Sequence, residues 1–231
     1  MAPTEDDPVR ITVAKLEAEL GIESGLLEKM FDDDDWSFVI KTHAVLEAAV
    51  THLLAGALNE PRLVPFLARL ELSGTTIGKL PVVKALELLG DEERRFVRSM
   101  SELRNDLVHD IRNLGFTFKT HVERMDRATL VRFRKNFDTW TTGGTHEELF
   151  GKKVDVVEFF RSNPKLAIWY STMVTLAMIY ERRQLEFDKR QWRDERVKFA
   201  GVVEFATRIN AAAKDVLPVP TLDEPPKQDG E

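Results

Sequence analysis

The sequence predicts an all-α protein, on three observations. Apolar residues recur at spacings of three and four along most of the chain, the period of helices that each bury one face. No run alternates apolar and polar residues over the length of a strand. Charged residues make up 31% and apolar residues 43% of the chain, with 2 Tyr, which are the proportions of a soluble, helix-rich protein.

Residues 1–10 read as a loose terminus, followed by short, weakly amphipathic helices through ITVAKLEAEL and GLLEKMF. The run DDDDW, residues 32–36, places four acids ahead of a long apolar-periodic segment. A calcium loop spaces its acids at alternate positions around a turn glycine, so this run reads as a helix cap and a favourable charge at a helix start. The segment that follows, WSFVIKTHAVLEAAVTHLLAGALN, carries Phe38, Val39, Val45, Leu46, Ala49, Val50, Leu53 and Leu54 at helical spacing, as the central helix of a bundle does. His43 and His52 on it are nine residues apart, about 180° around the axis. They read as two separate surface or boundary histidines.

Pro61 and Pro65 punctuate PRLVPFLARLEL, and SGTT at 73–76 marks a turn. SGTTIGK lacks the spacing of a phosphate loop, and no strand pattern precedes it. GKLPVVKALELLG, residues 78–90, predicts a short helix with Pro81 in its first turn and Gly90 as its stop. Asp91 is the expected cap of the next helix, residues 91–109, with Glu92 and Glu93 at its positive end. Residues 116–140 predict one or two helices with a basic end at Arg132, Arg134 and Lys135. TTGGT at 141–145 reads as a loop and VDVVEFF as a short helix.

SNP at 162–164 opens the longest helical stretch, which runs to residue 216 and is too long for one ordinary helix. Its first half is apolar all round, hence buried, whereas 183–198 mixes both charge signs and reads as a solvated helix or connector. Trp192, Phe199, Val202, Val203, Ala206 and Ile209 form an apolar stripe able to dock on the bundle or on a second copy. No heptad pattern reads as sustained enough for a coiled coil. The tail from Leu217, rich in proline and polar residues, reads as disordered. The expected organisation is an N-terminal extension 1–31, a helical domain 32–185, a charged helical extension 186–216 and a disordered tail 217–231.

The absence of cysteine removes disulfides, thiol catalysis and thiolate metal sites. The start, MAPTEDDPVR, resembles neither a secretory signal nor a transit peptide. The longest apolar run, Leu166 to Tyr180, falls short of the ~20 residues a bilayer needs, so a cytoplasmic protein without membrane partners is expected. A net charge of -6 opposes indiscriminate binding to nucleic acid. With no basic recognition helix or helix-turn-helix signature, direct DNA binding is not expected either. Neither a metal-ligand cluster nor a cofactor motif is legible.

The stretch SELRNDLVHD, residues 101–110, carries the functional signal. Projected at about 100° per residue, Phe96, Met100, Leu103 and Leu107 fall on one arc, the core face. Arg94, Arg98, Ser101, Asn105 and His109 fall on a second arc, and Arg104 lies between the two, close enough for its long side chain to reach Asn105. One account is ordinary helix surface: a histidine near the negative helix end, a solvated Asn and an Arg paired elsewhere. Against that, Asn and His each cost up to ~0.7 kcal/mol relative to Ala in a helix.

The order Arg104-Asn105-Asp106-Leu107-Val108-His109 resembles the signature of the HEPN superfamily of small all-α proteins, an arginine and a histidine separated by four to six residues. The chain is most similar to the mannitol operon repressor branch, through WSFVIKTHAVLEAAVTHLL, TTIGKLPVVKALELLG and RSNPKLAIWYSTMVTLAMIYE. The resemblance covers residues 36–185, is densest over 75–117, and does not reach the two ends. It implies a HEPN-like helical bundle with a C-terminal helical extension, a homodimer that joins two motif helices at one cleft, and a regulatory role through an RNA or protein partner.

It also implies the alternative of a metal-independent endoribonuclease. There Arg104 clamps the phosphate, His109 moves the proton of the attacking 2′-hydroxyl, and Asn105 orients one or the other. Arg94, Arg98 and Ser101 would extend the RNA- or partner-binding track.

Overall fold

The computed structural model describes residues 7–139, 146–149 and 152–216. The expected loop at 141–145 and the expected tail at 217–231 lie outside these. Among the described residues the protein is all-α apart from one two-stranded hairpin. The described residues fall into two compact units, one ending at Phe187 and the other starting at Asp188.

The first helix, α1 (Pro8–Leu20), begins three residues before the expected start, within the segment read as a loose terminus. Asp7 caps it by accepting from the Val9 N–H, with Pro8 at the first helical position, and Gly21 ends it in the left-handed conformation. After α2 (Leu26–Lys29), Asp34 caps α3 (Asp35–Ala57) through the Ser37 N–H at 2.9 Å, so the acid run does act as a helix start. Phe38, Leu46, Val50, Leu53 and Leu54 of α3 form the centre of the core. α3 is also long and apolar enough to cross a bilayer by length and composition, and most of that apolar surface is buried inside the bundle.

Beyond α4 (Val64–Leu67), α5 (Lys79–Ala85) ends earlier than expected. Gly90 is not its stop. The backbone leaves the helix at Leu86, turns through Glu87 at φ 52, and tucks Leu88 and Leu89 into the core. Gly90 instead takes the N-cap position of α6 (Asp91–Val108), which makes Asp91 the first helical residue and not the cap. Asp91 pairs with Arg94 one turn on.

Two helices, α7 (Phe118–Glu123) and α8 (Arg127–Phe137), occupy the next segment, each started by a capping side chain, Thr117 and Asp126. At the expected basic end of α8, Arg134 is buried against Asp138 at 2.7 Å, whereas Arg132 and Lys135 stay exposed.

The strands β1 (His146–Leu149) and β2 (Lys152–Asp155) pair antiparallel, with His146 opposite Asp155 and Leu149 opposite Lys152. They were not expected, because four residues are too few for an alternation to register. Asp155 then caps α9 (Val156–Ser162). The last helix, α10 (Pro164–Val216), is one helix of 53 residues, contrary to the expectation that this stretch would break. Pro164 sits where a helix tolerates it, and between there and Val216 the sequence has no further proline and a single glycine, Gly201, at a cost of about 1 kcal/mol.

Candidate functional site

Helix α6 presents the Arg-Asn-His order as follows. Phe96, Val97, Met100, Leu103 and Leu107 are buried, which fixes the rotation of the helix and turns Arg104 and Asn105 to the boundary of the core. The Arg104 guanidinium donates to Asn105 Oδ1 at 3.0 Å, so the two side chains hold each other. His109 follows as the C-cap, its backbone N–H donating to the Asn105 carbonyl at 3.2 Å and its side chain exposed. The turn just beyond, Ile111–Gly115, leaves two large apolar side chains in solvent: Ile111 is 81% exposed and Leu114 59%.

The rest of the predicted stripe divides. Arg98 is exposed on the same helix. Arg94 is turned inward, donating to the Leu89 carbonyl and pairing with Asp91, so it fastens the entry to α6. Ser101 is buried, and its hydroxyl is bonded to that of Ser73 at 2.9 Å. Arg104 and Asn105 thus meet through their side chains, His109 follows one turn on and bonds to Asn105 through the backbone, Arg94 fastens the entry to the helix and Ser101 serves an interior contact.

The Ser73–Ser101 bond pins the loop before α5 to α6. This loop closes on itself through Lys79 N–H to the Glu71 carbonyl at 2.9 Å and Leu80 N–H to the Leu72 carbonyl at 3.1 Å. A Cβ at Gly78 would come to 2.8 Å from the Glu71 carbonyl oxygen, so only glycine permits that closure. The loop delivers Lys79 into the interior, where its side chain is 0% exposed and its ammonium meets Glu47 of α3 at 2.7 Å. Glu47 lies one turn from His43, and Arg104 is close enough to act on the same imidazole.

His43 is buried and not a surface or boundary residue; His52, nine residues on, is half-buried. Burial pushes the His43 pKa down, Glu47 pulls it partly back, and the Arg104 and Lys79 cations lower it further. His121 of α7 is lowered as well, first by burial and then by Arg124, with Asp106 opposing. Sequence reasoning missed His43, Glu47 and Lys79. A signal for the first two was present, because their i,i+4 spacing puts them on one face of α3. Nothing local could reveal Lys79, which reads as an ordinary exposed lysine at a helix start.

A pH dependence follows from the depressed histidines. The unfolded chain takes up protons at these sites from about pH 6.5, before the folded chain does. Their contribution to stability is therefore complete above about pH 6.5 and is lost as pH falls from there towards the lowered folded values. The urea midpoint is expected to drop between pH 7 and pH 5, and His43→Gln to make that drop shallower; an unchanged slope in the variant would refute the assignment.

Among the described residues no group of three or more His, Asp or Glu is arranged to hold a metal ion. Comparison with family models, with curated proteins and with solved structures finds no match for this chain.

Proposed function

We propose that this chain is a cytoplasmic, HEPN-like regulatory protein of the mannitol operon repressor-like kind, acting by contact and not through a cofactor. In this reading two copies join at the C-terminal ends of their α6 helices. The two sets of Arg104, Asn105 and His109 then line a cleft that receives RNA or a protein partner. The observation that carries it is an anchored guanidinium near the end of α6 followed in the chain by exposed apolar groups: Arg104 is held by Asn105 at 3.0 Å, and Ile111 and Leu114 are exposed in the turn that follows the helix. Solvent-exposed large apolar groups beside a pre-positioned arginine make a suitable interface core, because the arginine loses little freedom on contact.

A metal-independent endoribonuclease is the second reading, favoured by the exposed imidazole of His109 at the end of the same face. A reachable imidazole can take the proton of a 2′-hydroxyl as its oxygen attacks the adjacent 3′-phosphate, and Arg104 can neutralise the charge that builds on the phosphorane. The P–O5′ bond then breaks to leave a 2′,3′-cyclic phosphate and a 5′-oxygen that is protonated by the imidazolium of the second copy or by water. Arg98, exposed on the same helix, is placed to meet the RNA backbone.

The experiment is to incubate the purified chain with single-stranded and structured RNA in EDTA, beside His109→Ala and Arg104→Ala. Binding without cleavage, weakened in Arg104→Ala, is the expected result for the regulator. Cleavage lost in both variants replaces it with the enzyme. An RNA neither bound nor cut, together with a face at which Ile111→Asp leaves self-association unchanged, defeats both.

A further inference from the structure

We propose that His43 regulates the Arg104 site: a phosphate group taken up by the Arg104 guanidinium and a proton taken up by His43 favour each other. This rests on the reading of Arg104 as a group that holds RNA, and it adds a control that the Arg104–His109 order does not contain.

The fold ties the two side chains into one cluster. Ser101, one turn before Asn105 on α6, is bonded to Ser73 at 2.9 Å, and the loop that starts there carries Lys79 to Glu47 at 2.7 Å. His43 stands one turn before Glu47 on α3, which packs against α6. The turns that bear Arg104 and His43 are therefore fastened to the same loop. Among the described residues, the charges that act on the His43 imidazole come from Glu47 of its own helix, Lys79 of α5 and Arg104 of α6.

These three groups differ in what a ligand can do to them. Lys79 is 0% exposed and its charge is matched by Glu47, so no ligand reaches it. Glu47 is partly exposed, but as a carboxylate it repels an anion. Arg104 lies at the boundary of the core with its guanidinium held by Asn105. It is the cation of this cluster that a phosphate can reach, and its fork of N–H donors suits phosphate oxygens. Without a ligand, burial and the Arg104 charge both oppose a positive charge on His43. A bound phosphate cancels the second of these. His43 then accepts a proton more readily, and by linkage the protonated chain binds phosphate more tightly. Affinity therefore rises as pH falls below about 6.5, by about threefold for charges separated by a guanidinium in a partly solvated cluster.

The test follows the His43 Hε1 resonance of the full chain by NMR across pH, with and without an eight-nucleotide 2′-O-methyl oligouridylate, which has no free 2′-hydroxyl and cannot be cleaved. The signal is assigned through its absence from His43→Gln. All samples carry His109→Ala, because a proton on the exposed His109 would itself attract phosphate. The His43 midpoint is expected to move to higher pH when the oligonucleotide is added. In the ligand-free chain, Arg104→Ala is expected to move it the same way, and Arg104→Lys, which keeps the charge, to leave it near the parent. Oligonucleotide affinity is expected to rise about threefold between pH 7 and pH 5, and to stay flat in His43→Gln. Binding that leaves the midpoint where it was, or a midpoint unmoved in Arg104→Ala, overturns the inference and leaves the RNA reading standing. No binding at either pH overturns the RNA reading and this inference with it, and leaves the face to a protein partner.

Discussion

Phe96→Ala is expected to destabilise the protein by about 3–5 kcal/mol, the cost of removing a large aromatic side chain from a core that cannot fully collapse around the hole. Phe96 is fully buried on α6 and meets the ring of Phe137 edge-on at 6.1 Å between centroids. That loss is a large fraction of the ~5–15 kcal/mol that holds a typical domain, and corresponds to about 10 °C in melting temperature for a chain of this size. Urea unfolding followed by circular dichroism measures it. Arg98→Ala, exposed on the same helix, should stay within about 0.5 kcal/mol of the parent. Comparable losses in both would mean that the rotation of α6 is not the one described, and with it the presentation of Arg104 and His109.

Glu47→Leu is expected to cost about 3 kcal/mol, at the low end for a broken buried ion pair because the Glu47 side chain is itself 33% exposed. The loss arises from what is left behind: the Lys79 ammonium, 0% exposed, with its 2.7 Å carboxylate partner gone. Adding Lys79→Met removes the stranded charge, and the double variant should return to within about 1 kcal/mol of the parent, since a buried pair replaced by apolar groups is often neutral. The measurement is a double-mutant cycle by urea denaturation. If the double variant is as unstable as Glu47→Leu alone, the lysine is not the source of the cost.

The long helices were legible because periodicity over many residues is a strong signal. The core face drawn for α6 from Phe96, Met100, Leu103 and Leu107 is the buried face. Ends were harder to read, since they depend on what the chain does next. Gly90 looked like the stop of α5, but burial of Leu88 and Leu89 required the helix to end at Ala85, freeing the glycine to precede α6. The unbroken course of α10 was hidden by a change in composition near residue 183, which altered the environment of the helix and not its backbone preference. At the candidate site, Arg104 and Asn105 could be found together because they are neighbours in sequence. The pinning of Ser101 by Ser73 and of Lys79 by Glu47 joins residues 28 and 32 positions apart, which no local pattern encodes.

The first half of α10 also sets the order in which the molecule can be completed. Its Trp169 indole donates to the Leu27 carbonyl at 3.0 Å, across 142 residues, and its Glu181 accepts from Thr12 at 3.3 Å, across 169. Lys165 reaches back to Asp35, and Arg183 to Glu19. On a ribosome, the opening helices leave the exit tunnel long before their fasteners exist. They wait as a partly covered apolar surface while α3 to α9 are made, and chain closure is delayed until the first half of α10 has been made. Loop closure across such separations makes slow folding, and apolar surface exposed during that interval favours aggregation.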